Sequence, residues 1–281
     1  MGIELADQIA ARLGAIPGVV AVAVGDAFAH GMERPHTEIA LAIYYDPATP
    51  PPVATLRAVA RELDERHPED AASEPGAWGP WLNGGARLIV DGRHVDWLYR
   101  DLRRVEQVVA DCLAGRVTCD YQPRYPHGFH NHIYLGELHT CRPLHDPQGT
   151  LAALKEQVAT YPPAMRRAII ERYLAEAEAT FQAARQAAAA GDVFYVSGCL
   201  FRGVACLVQV LYALEERYFL GERRALHEVT GFARRPAGFV GDVASVLGQP
   251  GSSPATLEAS VSALARFVGA LRAISAPILQ P

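Results

Sequence analysis

Two stretches of the chain hold residue types that could do chemistry. The first runs from Val20 to Pro47, VAVAVGDAFAHGMERPHTEIALAIYYDP. A strand-like run enters a turn at Gly25, and a second strand-like run begins at Thr37. Such a layout suits a loop that grips a phosphate and a strand that carries metal-binding carboxylates. The turn offers Asp26 and His30, and the second strand offers Glu38. The second stretch is 127–145, where His127, His130, His132, His139 and His145 make up five of the ten histidines. Imidazole is the commonest transition-metal ligand, so HGFHNH raises the question of a metal. Its spacing matches no HExxH or zinc-finger pattern, and no cysteine joins it at ligand spacing. Structural histidines are the better reading, with Tyr125, Phe129 and Tyr134 packing beside them.

The remaining candidates are weaker. LNGGAR (82–87) reads as a tight turn, not a phosphate loop, because no strand-to-helix motif surrounds it. Trp78 and Trp81 read as a loop that seals the core. Glu171 and Glu176 read as a solvated helix face, and Ser197 sits in no GxSxG elbow. The five cysteines are odd in number and include no CxxC pair. Cys199 and Cys206 are seven apart in a helical stretch and so share a face. Buried free thiols in a reducing cytoplasm fit this usage.

These residues need elements to hold them. Leu5, Ile9 and Leu13 recur at helical spacing, which predicts a helix over 3–14. VVAVAV (19–24) and TEIALAIYY (37–45) predict strands. On the second, Ile39, Leu41 and Ile43 face one way and Glu38, Ala40 and Ala42 the other. A helix is expected over 53–66. Asp91-Gly92 joins two β-rich runs as a two-residue hairpin turn, and a helix follows over 101–114. Residues 116–149 read as irregular. From about 150 the pattern is helical. YPPAMRRAIIERYLAEAEATFQAARQAAAAGD starts at prolines and stops at Gly191. VFYVSGCLFRGVACLVQVLYALEERYFL is apolar enough to be the buried central helix of a bundle. Two more helices fit 236–248 and 254–275, the second capped by Ser253 with Pro254 in its first turn. The expected organisation is a small α/β domain over 1–115, a connecting segment over 116–149 and a helical bundle over 150–281. The fold class is α+β.

Composition narrows the function classes. Half of the 281 residues are hydrophobic and a fifth are charged, as in ordinary globular proteins. Net charge is −5, with no basic block, and Lys155 is the only lysine. Nucleic acid is not expected as a partner, because phosphate backbones need concentrated Lys and Arg. No signal-peptide core opens the chain, and no run of about 18 apolar residues is expected to span a bilayer. A cytoplasmic location and no membrane partner follow as expectations.

The order of strand, glycine turn, carboxylate strand and a later strand carrying Asp96 resembles the nucleotidyltransferase fold of DNA polymerase beta type. It is most similar to aminoglycoside-nucleotidyltransferase-like proteins with a C-terminal helical domain. GPWLNGGARLIVDGRHVDWLYRDL, GRVTCDYQPRYPHGFHNHIYLGELHTCRPLHDP and GCLFRGVACLVQVLYALEERYF carry the resemblance over the rest of the chain. The resemblance implies a Gly-Gly or Gly-Ser turn, an Asp-x-Asp strand and a third Asp. Gly25 matches the first glycine. Asp26 stands at the second and Ala27 at the serine. Phe28 and His30 stand where basic residues are common. The Asp-x-Asp pair is Glu38-Ile39-Ala40, and Asp96 matches the third carboxylate. The family reaction, metal-assisted transfer of a nucleoside monophosphate to a hydroxyl, uses two Mg²⁺ ions on three carboxylates. Glu38 and Asp96 alone would hold a single Mg²⁺.

These departures redirect the expected chemistry. Ala27 cannot donate the serine's hydrogen bond, and Asp26 places a negative charge where phosphate oxygens would lie. At an effective dielectric of ~20 and ~5 Å, each such pair costs about 3 kcal/mol. The catalytic candidates are therefore Asp26, Glu38, Asp96 and His30, with Gly25, Ala27 and Phe28 at the substrate. Carboxylates crowded without a metal repel, and a protonated and an ionised carboxyl side by side form an acid/base pair. An acidic, partly aromatic pocket suits an amine-bearing small molecule. The expected function is a small-molecule enzyme or binder on a repurposed scaffold, of the kind found in specialised metabolism. The alternatives are a residual Mg-dependent nucleotidyltransferase acting on a hydroxylated or aminated acceptor, and a dead enzyme with an interaction role. No cofactor is expected unless family activity is retained, and then Mg²⁺ and a nucleoside triphosphate.

Overall fold

A computed structural model describes residues 2–25 and 38–280. The chain forms two compact units. Unit 1 comprises Met1–Ala110 and Tyr134–Thr160, and unit 2 comprises Asp111–Ile133 and Tyr161–Pro281. The segment expected to connect two domains, 116–149, is thus shared between them. It is also not irregular throughout. It holds a short hairpin, β5 (Cys119–Asp120) and β6 (Phe129–His130), then a helix, α5 (Ile133–Thr140), and a strand, β7 (Arg142–His145).

Unit 1 is built on a mixed five-stranded sheet. Its strands are β1 (Val19–Val24), β2 (Ile39–Tyr45), β3 (Gly85–Val90), β4 (Arg93–Asp101) and β7, in the order β3-β4-β2-β1-β7. β2 and β4 run parallel, and the other neighbours run antiparallel. A parallel pair needs a long crossover, and α2 (Val53–Leu63) and α3 (Gly79–Leu82) lie in the chain between β2 and β4. The β3–β4 hairpin turns at Asp91 and Gly92 with φ of 49° and 70°, the left-handed pair that a two-residue turn requires. Gly85 enters β3 so close to β4 that a Cβ there would lie 1.8 Å from the Trp97 carbonyl oxygen. That explains the Gly-Gly pair. The amphipathic α1 (Gly2–Gly14) buries Ala6, Ile9 and Leu13 in one core with Val22, Leu41, Ile43 and Trp97. The only lysine, on α6 (Thr150–Gln157), closes α5: Lys155 Nζ donates to the carbonyls of Leu138 (2.7 Å), His139 (2.9 Å) and Cys141 (2.6 Å). A cation at a helix C-terminus satisfies carbonyls that the helix itself leaves unpaired.

Unit 2 pairs two long helices, α7 (Pro163–Ala189) and α8 (Val193–Leu214), with α11 (Pro254–Leu279) packed on both. The shorter α9 (Ala225–Val229) and α10 (Phe239–Gly248) complete the bundle. The end of α4 (Leu102–Leu113) and the β5–β6 hairpin belong to this unit. Gly203 lets α8 approach Phe181 of α7, where a Cβ would fall 2.5 Å from the ring. Ser253 and Thr256 form a reciprocal capping box ahead of α11, with Pro254 in its first turn. Two expectations need correction. α8 is not buried all round, since Phe194 is 91% exposed at its start. α8 and α11 are also long and apolar enough to cross a membrane, although none was expected. Exposure on α8 is confined to its first half, and Cys206–Leu214 are buried without a break, whereas α11 buries one face through Leu257, Leu264 and Leu271.

Candidate functional site

The sheet places part of the expected site. Asp26, Ala27, Phe28 and His30 lie outside the described residues. The Gly25 amide donates to the Ala40 carbonyl at 2.9 Å, Ala40 pairs with Asp96, and Asp96 pairs with Arg87. Gly25, Ala40, Asp96 and Arg87 therefore stand on one level across four strands. Paired residues share a face, and so do residues two apart on a strand. Glu38, Ala40 and Asp96 consequently lie on one side of the sheet. Glu38 is exposed and Asp96 half-buried. The position that differs from an Asp-x-Asp strand, Ala40, is the one directly beside Asp96.

A denser group of reactive side chains lies in unit 2. The β5–β6 hairpin pairs Cys119 with His130 and Asp120 with Phe129. Asn131 locks its base: its side chain accepts from the Thr118 amide (3.0 Å) and donates to the Arg116 carbonyl (3.0 Å). Gly128, at φ 138°, brings the returning strand against Cys119, since a Cβ there would fall 2.6 Å from Sγ. His127 is fixed through its backbone, whose amide donates to Glu222 Oε1 at 2.6 Å. α7 supplies Tyr173 and Glu176, three residues apart and so on one face. α8 supplies Arg202, Cys206 and Gln209 at spacings of four and three, again one face.

Within this group, His127 Nδ1 lies 3.3 Å from His130 Nε2, and His130 Nδ1 lies 2.7 Å from the Tyr173 hydroxyl. His127 Nε2 lies 3.7 Å from Cys206 Sγ and 3.8 Å from Glu176 Oε1. Glu176 Oε1 accepts from Arg202 Nη2 at 2.6 Å. His132 Nε2 lies 3.0 Å from Gln209 Oε1, which can only accept, so Nε2 carries the proton. Its Nδ1 is left a buried acceptor with no donor among the described residues.

Burial sets the protonation of these groups. It holds the His132 ring down, to about 4, and His130 well below the ordinary imidazole value. Both rings are neutral at pH 7. Burial pushes the Cys119 thiol up to about 11 and raises Cys206 and Tyr173 as well. Glu176 goes the other way, down to about 2, through the His127 ring first and then Arg202. It is an anion paired with Arg202, beside the neutral His130, His132, Cys119 and Tyr173. Cys119, His127 and His130 place ligand atoms within 4.8 Å of one another, and so do His127, Glu176 and Cys206.

Next to this group opens a cavity of about 210 Å³, entirely within unit 2. Phe201, Val204, Val208, Phe219, Val243 and Leu247 make its wall apolar, and His127, Gln209 and Glu222 supply the polar atoms. Glu222 Oε2 is buried with no hydrogen-bond partner among the described residues. Burial raises the pKa of that carboxyl, against the backbone amides of His127 and Gly128, which lower it.

None of this group was assigned a role from sequence. Glu176, read as solvated, has a side chain only 21% exposed and is tied to Arg202. The histidines, read as having no cysteine at ligand spacing, have Cys119 paired with His130 and Cys206 beside His127. The available signal was the helical spacing of Tyr173 with Glu176, and of Cys199, Arg202 and Cys206.

Residues 131–222 match a family model described as a domain of unknown function, DUF4037. No curated protein matches the chain. A crystal structure of a nucleotidyltransferase-like protein from Exiguobacterium sibiricum 255-15 is similar over 99% of this chain and 77% of that chain, at TM-score 0.47 and 10% identity.

Proposed function

We propose that the chain is a small-molecule binder or enzyme that keeps a nucleotidyltransferase-like sheet as its scaffold and takes an apolar amine in unit 2. The observation that carries this reading is Glu222: it lines an apolar cavity, and its Oε2 is buried with no hydrogen-bond partner among the described residues. A buried acceptor without a partner costs about 1–3 kcal/mol, more when charged. A ligand ammonium would supply the missing donor, and the apolar wall would take its hydrocarbon body. The test is calorimetry with primary amines such as hexylamine and phenethylamine, beside the corresponding alcohols. The amines bind and the alcohols do not, and Glu222→Gln weakens the amines by roughly tenfold, the loss of one charge-assisted hydrogen bond. Gln keeps an oxygen for the His127 amide, so the loop stays anchored. Equal binding of amines and alcohols, or no binding of either, rejects the proposal.

A second reading rests on the sheet. Gly25, Ala40 and Asp96 share one level, with Glu38 on the same face, which supports a residual nucleotidyltransferase holding one Mg²⁺ on Glu38 and Asp96. Calorimetry with Mg²⁺ and each of the four nucleoside triphosphates tests it. Silence with all four removes this reading.

A further inference from the structure

We propose that the β5–β6 hairpin of unit 2 binds a zinc-type divalent cation through Cys119 Sγ, His127 Nδ1 and His130 Nε2. The three residues come from one short hairpin, and each has a ligand atom within 4.8 Å of the others. A thiolate with two imidazoles suits Zn²⁺ and does not suit Mg²⁺, which takes oxygen ligands. The 3.3 Å between His127 Nδ1 and His130 Nε2 is about the separation of two nitrogens bound at ~2.0–2.1 Å around one tetrahedral ion.

The outer nitrogens are already placed for the role. Metal-bound histidines nearly always engage their second ring nitrogen with a carboxylate, carbonyl or similar group. His130 Nδ1 meets the Tyr173 hydroxyl at 2.7 Å, and His127 Nε2 faces the Glu176 carboxylate at 3.8 Å. The competing set, His127 with Glu176 and Cys206, is weaker for a stated reason. Glu176 Oε1 already accepts from Arg202 at 2.6 Å, and the guanidinium charge beside it works against a cation there. Three protein ligands leave a fourth position for water or a ligand, the arrangement of catalytic zinc sites. On binding, Cys119 gives up its thiol proton to solvent, so uptake releases protons and strengthens with pH. Nothing in this inference depends on what fills the apolar cavity.

Cobalt(II) reports on the site because bound thiolate gives it a charge-transfer band in the near ultraviolet. The EDTA-stripped full chain titrates with CoCl₂ at one ion per chain, develops that band, and loses it on addition of ZnCl₂. Cys119→Ser abolishes the band and Cys206→Ser retains it. A second measurement needs no variant: alkylation by iodoacetamide with and without Zn²⁺, followed by peptide mapping, shows Cys119 protected. Absence of a thiolate band overturns the proposal. So does a band lost in Cys206→Ser and kept in Cys119→Ser, or protection that falls on Cys206 alone.

Discussion

The two units handle buried polar groups in different ways. Unit 1 buries charge in closed pairs. Arg100, 1% exposed, donates from Nε and Nη2 to both oxygens of Glu137 at 2.8 and 2.7 Å and from Nη1 to the Tyr99 carbonyl at 3.0 Å, with its guanidinium over the Tyr134 ring. Asp64, fully buried, accepts from the Arg66 side chain twice and from its amide. Unit 2 instead gathers neutral proton carriers, His130, His132, Cys206 and Tyr173, beside one half-buried ion pair, Glu176 with Arg202 at 2.6 Å. A closed ion pair returns part of its own desolvation cost and leaves no group in want of a partner. A cluster of neutral imidazoles and thiols is desolvated without that return, and its value has to come from something it binds or does. That difference directs the search for function to unit 2, although the recognisable carboxylates are in unit 1.

The largest effect that can break this comparison is at Arg100. Arg100→Met removes one partner of a buried pair and leaves Glu137 uncompensated. The expected loss of stability is about 3 kcal/mol, the low end for such a break because Glu137 keeps some contact with water. Urea denaturation reads it. Adding Glu137→Leu recovers most of the loss, since both desolvated charges are then gone. A loss under about 1 kcal/mol would mean that the pair is screened like a surface one, and unit 1 would no longer stand apart.

In unit 2 the matching change is Gln209→Leu. It takes the acceptor from His132 Nε2–H, so neither ring nitrogen of a fully buried imidazole has a partner. The expected cost is about 1–3 kcal/mol, measured in the same way. A smaller value would mean that water reaches the ring. A cost above that of Arg100→Met would reverse the comparison and make the histidine group the structural anchor.

Sequence reading reached the elements with strong periodicity and explicit punctuation. α1, β1, β2 and the Asp91-Gly92 hairpin each carry local signals that the fold uses unchanged. So do the start of α7 at its prolines and the Ser253 cap of α11. It missed β7, whose Arg142–His145 holds one aliphatic side chain, Leu144. That segment is a strand because β1 offers it an edge, a tertiary cause with no local signature. α5 was hidden among histidines and glycines and is closed from outside by Lys155. The candidate site divides the same way. Glu38 and Asp96 were candidates because the resemblance implies carboxylates at their positions on two strands. The unit 2 group was not, because Cys119, His130, Glu176 and Cys206 are brought together by a hairpin register and by two helix faces. No spacing along the chain encodes that meeting.

The smallest effect is at Glu38, and it sharpens the comparison most finely. Glu38 is exposed just ahead of β2, on the same face as Asp96 and two residues from its level. Diagonal neighbours at that offset have Cα atoms about 7–8 Å apart, within reach of a glutamate side chain. If the two carboxylates stand apart in water, Glu38→Ala changes stability by less than about 0.5 kcal/mol, as surface substitutions do. Mg²⁺ then leaves the melting temperature of both proteins unchanged. If instead they are drawn together, Glu38→Ala removes a repulsion and stabilises the fold. A gain near 1 kcal/mol corresponds to two like charges at about 4 Å in bulk water. A cation would relieve the same repulsion in the wild type, so Mg²⁺ would raise its melting temperature and not that of the variant. The first outcome leaves unit 1 a scaffold. The second gives it a cation site of its own, and the sheet would again be where the chemistry is sought.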